Sequence, residues 1–318
     1  MKISVGLCTY NGSLYIEKQL DSILHQVDFK VDEIVICDDN STDETLEILN
    51  SFKTNYPSVF SIHINETNFG STRNFEKAIS LCSGDYIFLA DQDDVWKQDK
   101  IQKTLAVFDA NPTAEGVFSN ADLIDEKDNL IPSDVTIWDS VFFLEKELPK
   151  PIDFFDIITK NGNVVTGATL CIKNVVKDFI FPFTNDVLHD EKIAVVLALR
   201  KSLFYSTENL ISYRIHDKQQ VGMKNMHKLI AKNRLKRIVL GLDQPSSFKE
   251  YRQLAKKKYL KFHKAKKYKN SSFLKIDIHE LIEKSHRELD LLNNEIKLKF
   301  PVRYRFVQLI DKLLSKRK

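Results

Sequence analysis

Apolar and polar positions follow two alternating periods over the first 120 residues. Residues 2–8 form a short β-rich apolar run, and Ile16, Leu20, Ile23 and Leu24 then fall at helical spacing. A second run, residues 31–37, ends in Asp38-Asp39; Ser41 and Glu44 form a capping-box pair that predicts a helix over about 43–54. Strands are predicted over 59–64, 85–90 and 115–119, and helices over 71–82 and 97–110, the last stopped by Asn111-Pro112. This β-α-β-α order predicts an α/β fold with a mostly parallel sheet covered by helices on both faces. Ligands of such sheets bind at the carboxyl ends of the strands. Thr9-Tyr10-Asn11, Asp38-Asp39 and Asp91–Asp94 are therefore expected along one edge.

Residues 128–164 are less regular and predict a long connection with short helices. Residues 165–172 read as a strand. A helix over 190–200 is entered from His189-Asp190-Glu191, and a strand around 203–213 leads into Tyr213-Arg214-Ile215-His216. From about residue 225 the pattern is helical. Charge divides near the same place. Lys and Arg are outnumbered by Asp and Glu 20 to 35 up to residue 223 and outnumber them 27 to 9 beyond it. Two regions with different jobs are expected, 1–222 and a basic helical region 223–318.

At 318 residues the chain is long enough for one core or two. No apolar run approaches the roughly 20 residues of a membrane-spanning helix. The N-terminus enters a strand at once and does not read as a signal peptide. Cys8, Cys37, Cys82 and Cys171 form no CxxC pair, which argues against zinc and dithiol chemistry and for buried thiols in the cytoplasm.

The densest chemistry is Ala90-Asp91-Gln92-Asp93-Asp94-Val95-Trp96, where an apolar run ends in three carboxylates within four residues. Acids this close repel, and a hard divalent cation, Mg²⁺ or Mn²⁺, gives a reason to gather them. Asp91-x-Asp93 has the minimal form for a cation that keeps its other ligands from water and phosphate. Asp39 can accept the imide N–H of a uracil or thymine, or cap the next turn. Arg73, at a helix start after Asn68-Phe69-Gly70, can meet a diphosphate or pair with an exposed acid. There is no GxxxxGK[ST] and no GxGxxG. Asp38-x-Asn40-x-Thr42 lacks the glycine and glutamate of a calcium-binding EF-hand loop. A rival is the haloacid-dehalogenase type of phosphatase, with Asp91 as nucleophile in Asp91-Gln92-Asp93-Asp94-Val95. That motif belongs on a first strand, and here three strand signals precede it.

Taken in order, Cys8-Thr9-Tyr10-Asn11-Gly12, Cys37-Asp38-Asp39-Asn40-Ser41-Thr42-Asp43, Asn68-Phe69-Gly70 with Arg73-Asn74, and Asp91-Gln92-Asp93-Asp94-Val95-Trp96 resemble family 2 glycosyltransferases. These are inverting enzymes of the GT-A fold that use nucleotide-activated sugars. The resemblance continues through Thr166-Gly167-Ala168, His189-Asp190 and Tyr213–His216, covers about residues 1–222, and looks most like a bacterial rhamnosyltransferase branch of capsule and O-antigen assembly. It implies that Thr9, Tyr10, Asn11, Asp38, Asp39, Arg73, Asp91 and Gln92 surround a nucleotide diphosphate sugar. It further implies that Asp93, with Asp91 and His216, holds the metal, and that Asp190 is the base, with Glu191 in reserve. The acceptor would be a glycan or lipid-linked saccharide. Trp96 and Trp138 are expected to pack, the second with a sugar-stacking alternative.

The basic region mixes apolar and cationic residues, as in Ala255-Lys256-Lys257-Lys258-Tyr259-Leu260-Lys261. Such helices suit an anionic membrane surface at the inner face of the plasma membrane. Nucleic acid is the less favoured partner, a homo-oligomer contact is the bland alternative, and a non-catalytic basic binding protein is the remaining rival class.

Overall fold

The computed structural model describes all residues except 132–134, 185, 218, 220–233, 271–276, 306 and 308–318. The boundary expected at 222/223 lies outside the described residues. The strands are β1 (Ile3–Thr9), β2 (Glu33–Asp38), β3 (Phe60–Ile64), β4 (Tyr86–Asp91), β5 (Val95–Trp96), β6 (Gly116–Ile124), β7 (Cys171–Lys173) and β8 (Leu203–Arg214). The helices are α1 (Ile16–Leu24), α2 (Thr45–Asn55), α3 (Ser71–Leu81), α4 (Lys100–Ala110), α5 (Ile137–Ser140), α6 (Phe154–Asn161), α7 (Lys177–Ile180), α8 (His189–Leu199), α9 (Arg234–Val239), α10 (Phe248–Lys267) and α11 (Ile278–Lys299).

The eight strands form one sheet in the order β3-β2-β1-β4-β7-β6-β8-β5. The first four pair in parallel, while β7 is antiparallel to both β4 and β6. In β4 Ile87, Phe88, Leu89 and Ala90 are all buried, the unbroken apolar run expected of a strand covered on both faces. Register then fixes the functional edge: Thr9 lies opposite Asp38, and Cys8 opposite Asp91.

Several boundaries depart from expectation. The segment 165–172 is not one strand: Gly167–Thr169 forms a 3₁₀ turn before β7. Strand β6 runs on to Ile124, and the two-residue β5 was too short to signal. The Ser41/Glu44 capping box does not form. The Ser41 hydroxyl donates to Asp38 and accepts from the Asn11 amide, and Glu44 makes no side-chain cap.

The chain divides into two compact units. One comprises Met1–Phe143 and Asn163–Ile230, the other Leu144–Gly162 and Ala231–Lys318. The second has its own core of Ile238, Val239, Tyr251, Leu254, Leu292 and Ile296. Inside it Asp156 accepts from Lys160 and Lys261, which ties α6 to α10. No described helix is long and apolar enough to cross a membrane.

Helix α8 is fixed to the sheet by a buried cluster. Arg200, which ends α8, donates from Nε and Nη2 to the two oxygens of Glu115, both at 2.6 Å, and Ser202 donates to the same carboxylate at 2.6 Å. Removing one partner of a buried pair leaves an uncompensated charge, a loss of about 3–5 kcal/mol. Glu115→Ala is expected to lower the unfolding free energy by about that amount in a denaturant titration; a change under about 1 kcal/mol would show that the cluster is only a surface pair.

Candidate active site

The loops after β1, β2 and β4 meet at the carboxyl edge and are laced together by short polar bonds. Asp38 is wholly buried. It accepts from Thr9 Oγ1 at 2.6 Å, the Ser41 amide at 2.8 Å and Ser41 Oγ at 2.6 Å. Asn11 sits at φ 48° and accepts from the Thr42 amide on Oδ1. Asp39 accepts from Asn65 Nδ2 and the Phe69 and Gly70 amides, each at 2.8 Å, so it shapes the loop before α3. An ionised carboxylate offers about four acceptor positions, and the Asp39 side borders the cavity described next.

Above this edge lies a cavity of about 760 Å³. Its walls bring together Thr9, Tyr10, Asn11, Asp39, Asp91, Gln92, Asp93, Asp190 and His216. Two expected residues are elsewhere. Asp38 lies beneath the lining, and Arg73 pairs with Glu76 at 3.0 Å on the exposed side of α3. Glu191 is also outside the lining, whereas its neighbour Asp190 is within it. Both tryptophans pack: Trp96 lies against Phe88, and Trp138 sits among Phe118, Phe143 and Tyr205 with its Nε1 donating to the Ser119 carbonyl.

Gln92 binds the backbone of Tyr10 from both ends of its amide, accepting from N at 2.8 Å and donating to O at 3.1 Å. This holds the acid turn against the β1 loop. Asp94 is wholly buried and accepts the Arg214 amide at 3.0 Å. Burial, then Asp93 and Asp91, push its carboxyl well above the usual range, and its second oxygen has no hydrogen-bond partner. Arg214, 1% exposed, is the hub. Its guanidinium donates to the Asp93 carbonyl, the Asp125 carbonyl and Asp128 Oδ1, and lies 4.6 Å from the Tyr15 ring. The sequence signalled Arg214 only as part of a resemblance, with no role.

Asp190 lies in the first turn of α8. It accepts from the Glu191 amide at 2.6 Å and from the Gly167 amide at 3.2 Å. Burial raises its carboxyl to about 7 against the pull of those amides. Asp91 is also raised, by burial first and then by Asp93 and Asp190. His189 stacks on Phe75 with centroids 3.9 Å apart, and neither of its ring nitrogens has a hydrogen-bond partner. Burial lowers its pKa to about 3, so the ring is neutral.

Among the described residues no three His, Cys, Asp or Glu side chains are grouped to hold a metal ion. His216 Nε2 is 2.8 Å from Asp93 Oδ2, so the imidazole orients that carboxylate rather than standing free as a ligand. The donor chemistry of Asp91 and Asp93 fits a hard cation that draws most of its ligands from phosphate and water, not one caged by protein.

The mostly parallel sheet with its acid-lined carboxyl edge is an α/β arrangement that binds ligands at that edge. The model of glycosyl transferase family 2 matches residues 4–179. The dTDP-rhamnosyl transferase RfbG of Shigella flexneri is 30% identical over 241 residues, 68% of this chain and 73% of that protein. An uncharacterized glycosyltransferase of Nostoc, alr2836, is 29% identical over 223 residues, 68% of this chain and 65% of its own length. Staphylococcus aureus TarS 1–349, solved with UDP-GlcNAc, superposes with a TM-score of 0.54 at 18% identity, over 92% of this chain and 81% of that one. The fold is GT-A, and the chain belongs to glycosyl transferase family 2. It is a glycosyltransferase, which ends the phosphatase and non-catalytic alternatives.

Gly12 allows the Gln92 clamp. A Cβ there would come within 2.2 Å of Gln92 Oε1, the end of a flexible side chain that can swing away only by releasing Tyr10. Gly12→Ala is expected to leave the thermal midpoint nearly unchanged while weakening nucleotide binding severalfold in calorimetric titration. Unchanged affinity would show that the clamp does not shape the donor side of the cavity.

Proposed function

We propose that this enzyme moves a sugar from a nucleotide diphosphate sugar to a hydroxyl group, with inversion at the anomeric carbon and Asp190 as general base. The observation that carries the reading is geometric: Asp190, at the head of α8 and held by the Gly167 and Glu191 amides, lines the same cavity as the acid turn. An ordinary carboxylate near pKa 4 is a weak base; one raised to about 7 is matched to its task. Asp190 takes the acceptor's hydroxyl proton while the acceptor oxygen bonds to the anomeric carbon. The bond from that carbon to the diphosphate oxygen breaks, and the nucleoside diphosphate leaves with the bonding pair. Base catalysis of this kind contributes ~10²–10⁴-fold.

The remaining residues position the donor. Asp39, with acceptor capacity left over, suits the imide N–H of a uracil or thymine. Thr9, Tyr10, Asn11 and Gln92 shape the nucleotide side, and Asp38 supports them from beneath. A divalent cation, Mg²⁺ or Mn²⁺, would be held by Asp93 with Asp91 and would neutralise charge on the diphosphate. His216 orients Asp93 for that role. The name of the Shigella relative supports a dTDP-linked deoxyhexose, dTDP-rhamnose first, as the donor to test, with UDP-sugars next because TarS was solved with UDP-GlcNAc. A glycan or lipid-linked saccharide of surface polysaccharide synthesis is the matching acceptor class.

The second unit supports work at the inner face of the plasma membrane. The exposed face of α10 carries Lys249, Arg252, Lys256, His263, Lys266 and Lys267, and the helix's single acid, Glu250, is half-buried in its capping box. Tyr259 and Leu260 are 50% and 43% exposed among these cations. Apolar side chains beside lysines suit a bilayer interface better than a phosphate backbone alone.

Two experiments test these readings. With the dTDP- or UDP-sugar that turns over, kcat/KM is expected to fall at least about tenfold per unit below about pH 7 as Asp190 protonates, with Asp91 titrating in the same range. Asp190→Asn is expected to lose at least about 10²-fold in kcat while still binding donor; wild-type turnover in that variant would remove Asp190 from its role. In flotation assays, vesicles rich in phosphatidylglycerol are expected to carry the protein at low salt and release it at high salt. Reversal of Lys249, Arg252 and Lys256 to Glu is expected to weaken that binding at least about tenfold. Equal binding to neutral vesicles, or none at low salt, would end the membrane reading.

A further inference from the structure

Lys100 is the least expected residue in the first unit. It opens α4 and is 1% exposed. A cation is least favoured in the first turn of a helix, and a buried ammonium is among the most costly groups to desolvate. Burial lowers its pKa to about 7 even though Asp94, Cys171 and Asp91 pull the other way. A methionine of similar length would fill the space without that cost. The ammonium also forms no ion pair with Asp94 or Asp91. Its hydrogen bond runs from Nζ to the Ala168 carbonyl at 2.8 Å, and it lies 3.8 Å from the centroid of the Trp96 ring.

The target of that bond gives it meaning. Ala168 is the middle residue of the 3₁₀ turn Gly167–Thr169. The first amide of the turn, Gly167 N–H, donates to the Asp190 carboxylate at 3.2 Å. The far end of the turn is tied to β4, because the Leu89 amide donates to the Leu170 carbonyl at 2.9 Å. Thr169 closes the turn internally, with its amide and its hydroxyl both donating to the Thr166 carbonyl. The turn also lies hard against α8, since a Cβ on Gly167 would come within 2.8 Å of His189 Nε2. Lys100 thus grips the centre of a short element whose one end is fixed to the acid-bearing strand and whose other end holds the base.

We propose that Lys100 is a positioning residue for sugar transfer: it holds the Gly167–Thr169 turn where the Gly167 amide can orient the Asp190 carboxylate toward the cavity. The proposal rests on Asp190 being the base. Lys100 touches no substrate. Its effect falls on the chemical step rather than on donor binding, because the clamp over Tyr10 and the loop around Asp39 are built from other residues.

The test uses the full chain and two variants that reach the turn from different directions. Lys100→Met removes the grip and the charge together; Thr169→Val loosens the same turn and leaves every charge in place. Both are expected to lower kcat about tenfold or more while donor affinity, read by calorimetry with dTDP or UDP, changes less than about twofold. Both are expected to move the acid limb of the pH profile upward, because a carboxylate that loses an amide donor becomes harder to ionise. Carboxyl NMR titration of Asp190 reads the same upward shift without turnover, so it distinguishes failure of the proposal from failure of the transferase reading. If Lys100→Met does not fold, Thr169→Val carries the test alone. Parallel loss of kcat and donor affinity would make the lysine merely structural. An unchanged acid limb and carboxyl titration in Thr169→Val would overturn the proposal.

Discussion

Repulsion among carboxylates is the constraint on which this site depends. Asp91 ends β4, Asp93 and Asp94 follow in the turn after it, and Asp190 adds a fourth acid to the same neighbourhood. In a desolvated site, like charges and burial both push a carboxyl toward its neutral form. The surrounding structure sorts three of the four by partner. Asp94 is sealed in and tied to the Arg214 amide, Asp93 is oriented by His216, and Asp190 is held by two backbone amides. Arg214 braces the turn, since its amide meets Asp94 and its guanidinium bonds to the Asp93 and Asp125 carbonyls and to Asp128 rather than to the functional carboxylates. Those carboxylates therefore remain free to face the cavity.

Much of the fold was legible because parallel strands covered on both faces write unbroken apolar runs. The runs at 2–8, 31–37 and 85–90 became β1, β2 and β4 within two residues at each end. Their parallel register also made the functional edge legible, since it places Thr9, Asp38 and Asp91 side by side. The short pieces were not legible. Two-residue β5 and the turn Gly167–Thr169 are set by tertiary contacts, and no period of 2.0 or 3.6 can build up over two or three residues.

The site residues divide along a similar line. Which acids gather was readable from their places at strand ends; what each carboxylate does was not, because that depends on donors distant in sequence. Asp38 and Asp39 are adjacent, yet one is spent wholly on the loops after β1 and β2, and the other shapes the loop before α3 thirty residues on. Arg73 had a partner three residues away that the helical spacing already offered. Lys100 did leave a signal: it falls on the buried stripe of α4 with Ile101, Thr104, Leu105 and Phe108, a position where a lysine is out of place. The basic second unit is a different case, since its charge was plain in the sequence and the structure adds which cations share an exposed helix face.

The central claim is a single displacement in which Asp190 deprotonates the acceptor across the cavity from the acid turn. The most direct measurement is the anomeric configuration of the first-formed product, read by proton NMR from a donor of known configuration. The account predicts the opposite configuration to that of the donor. Retention would contradict it, because retention requires a second displacement or a same-face mechanism that one base at Asp190 does not supply.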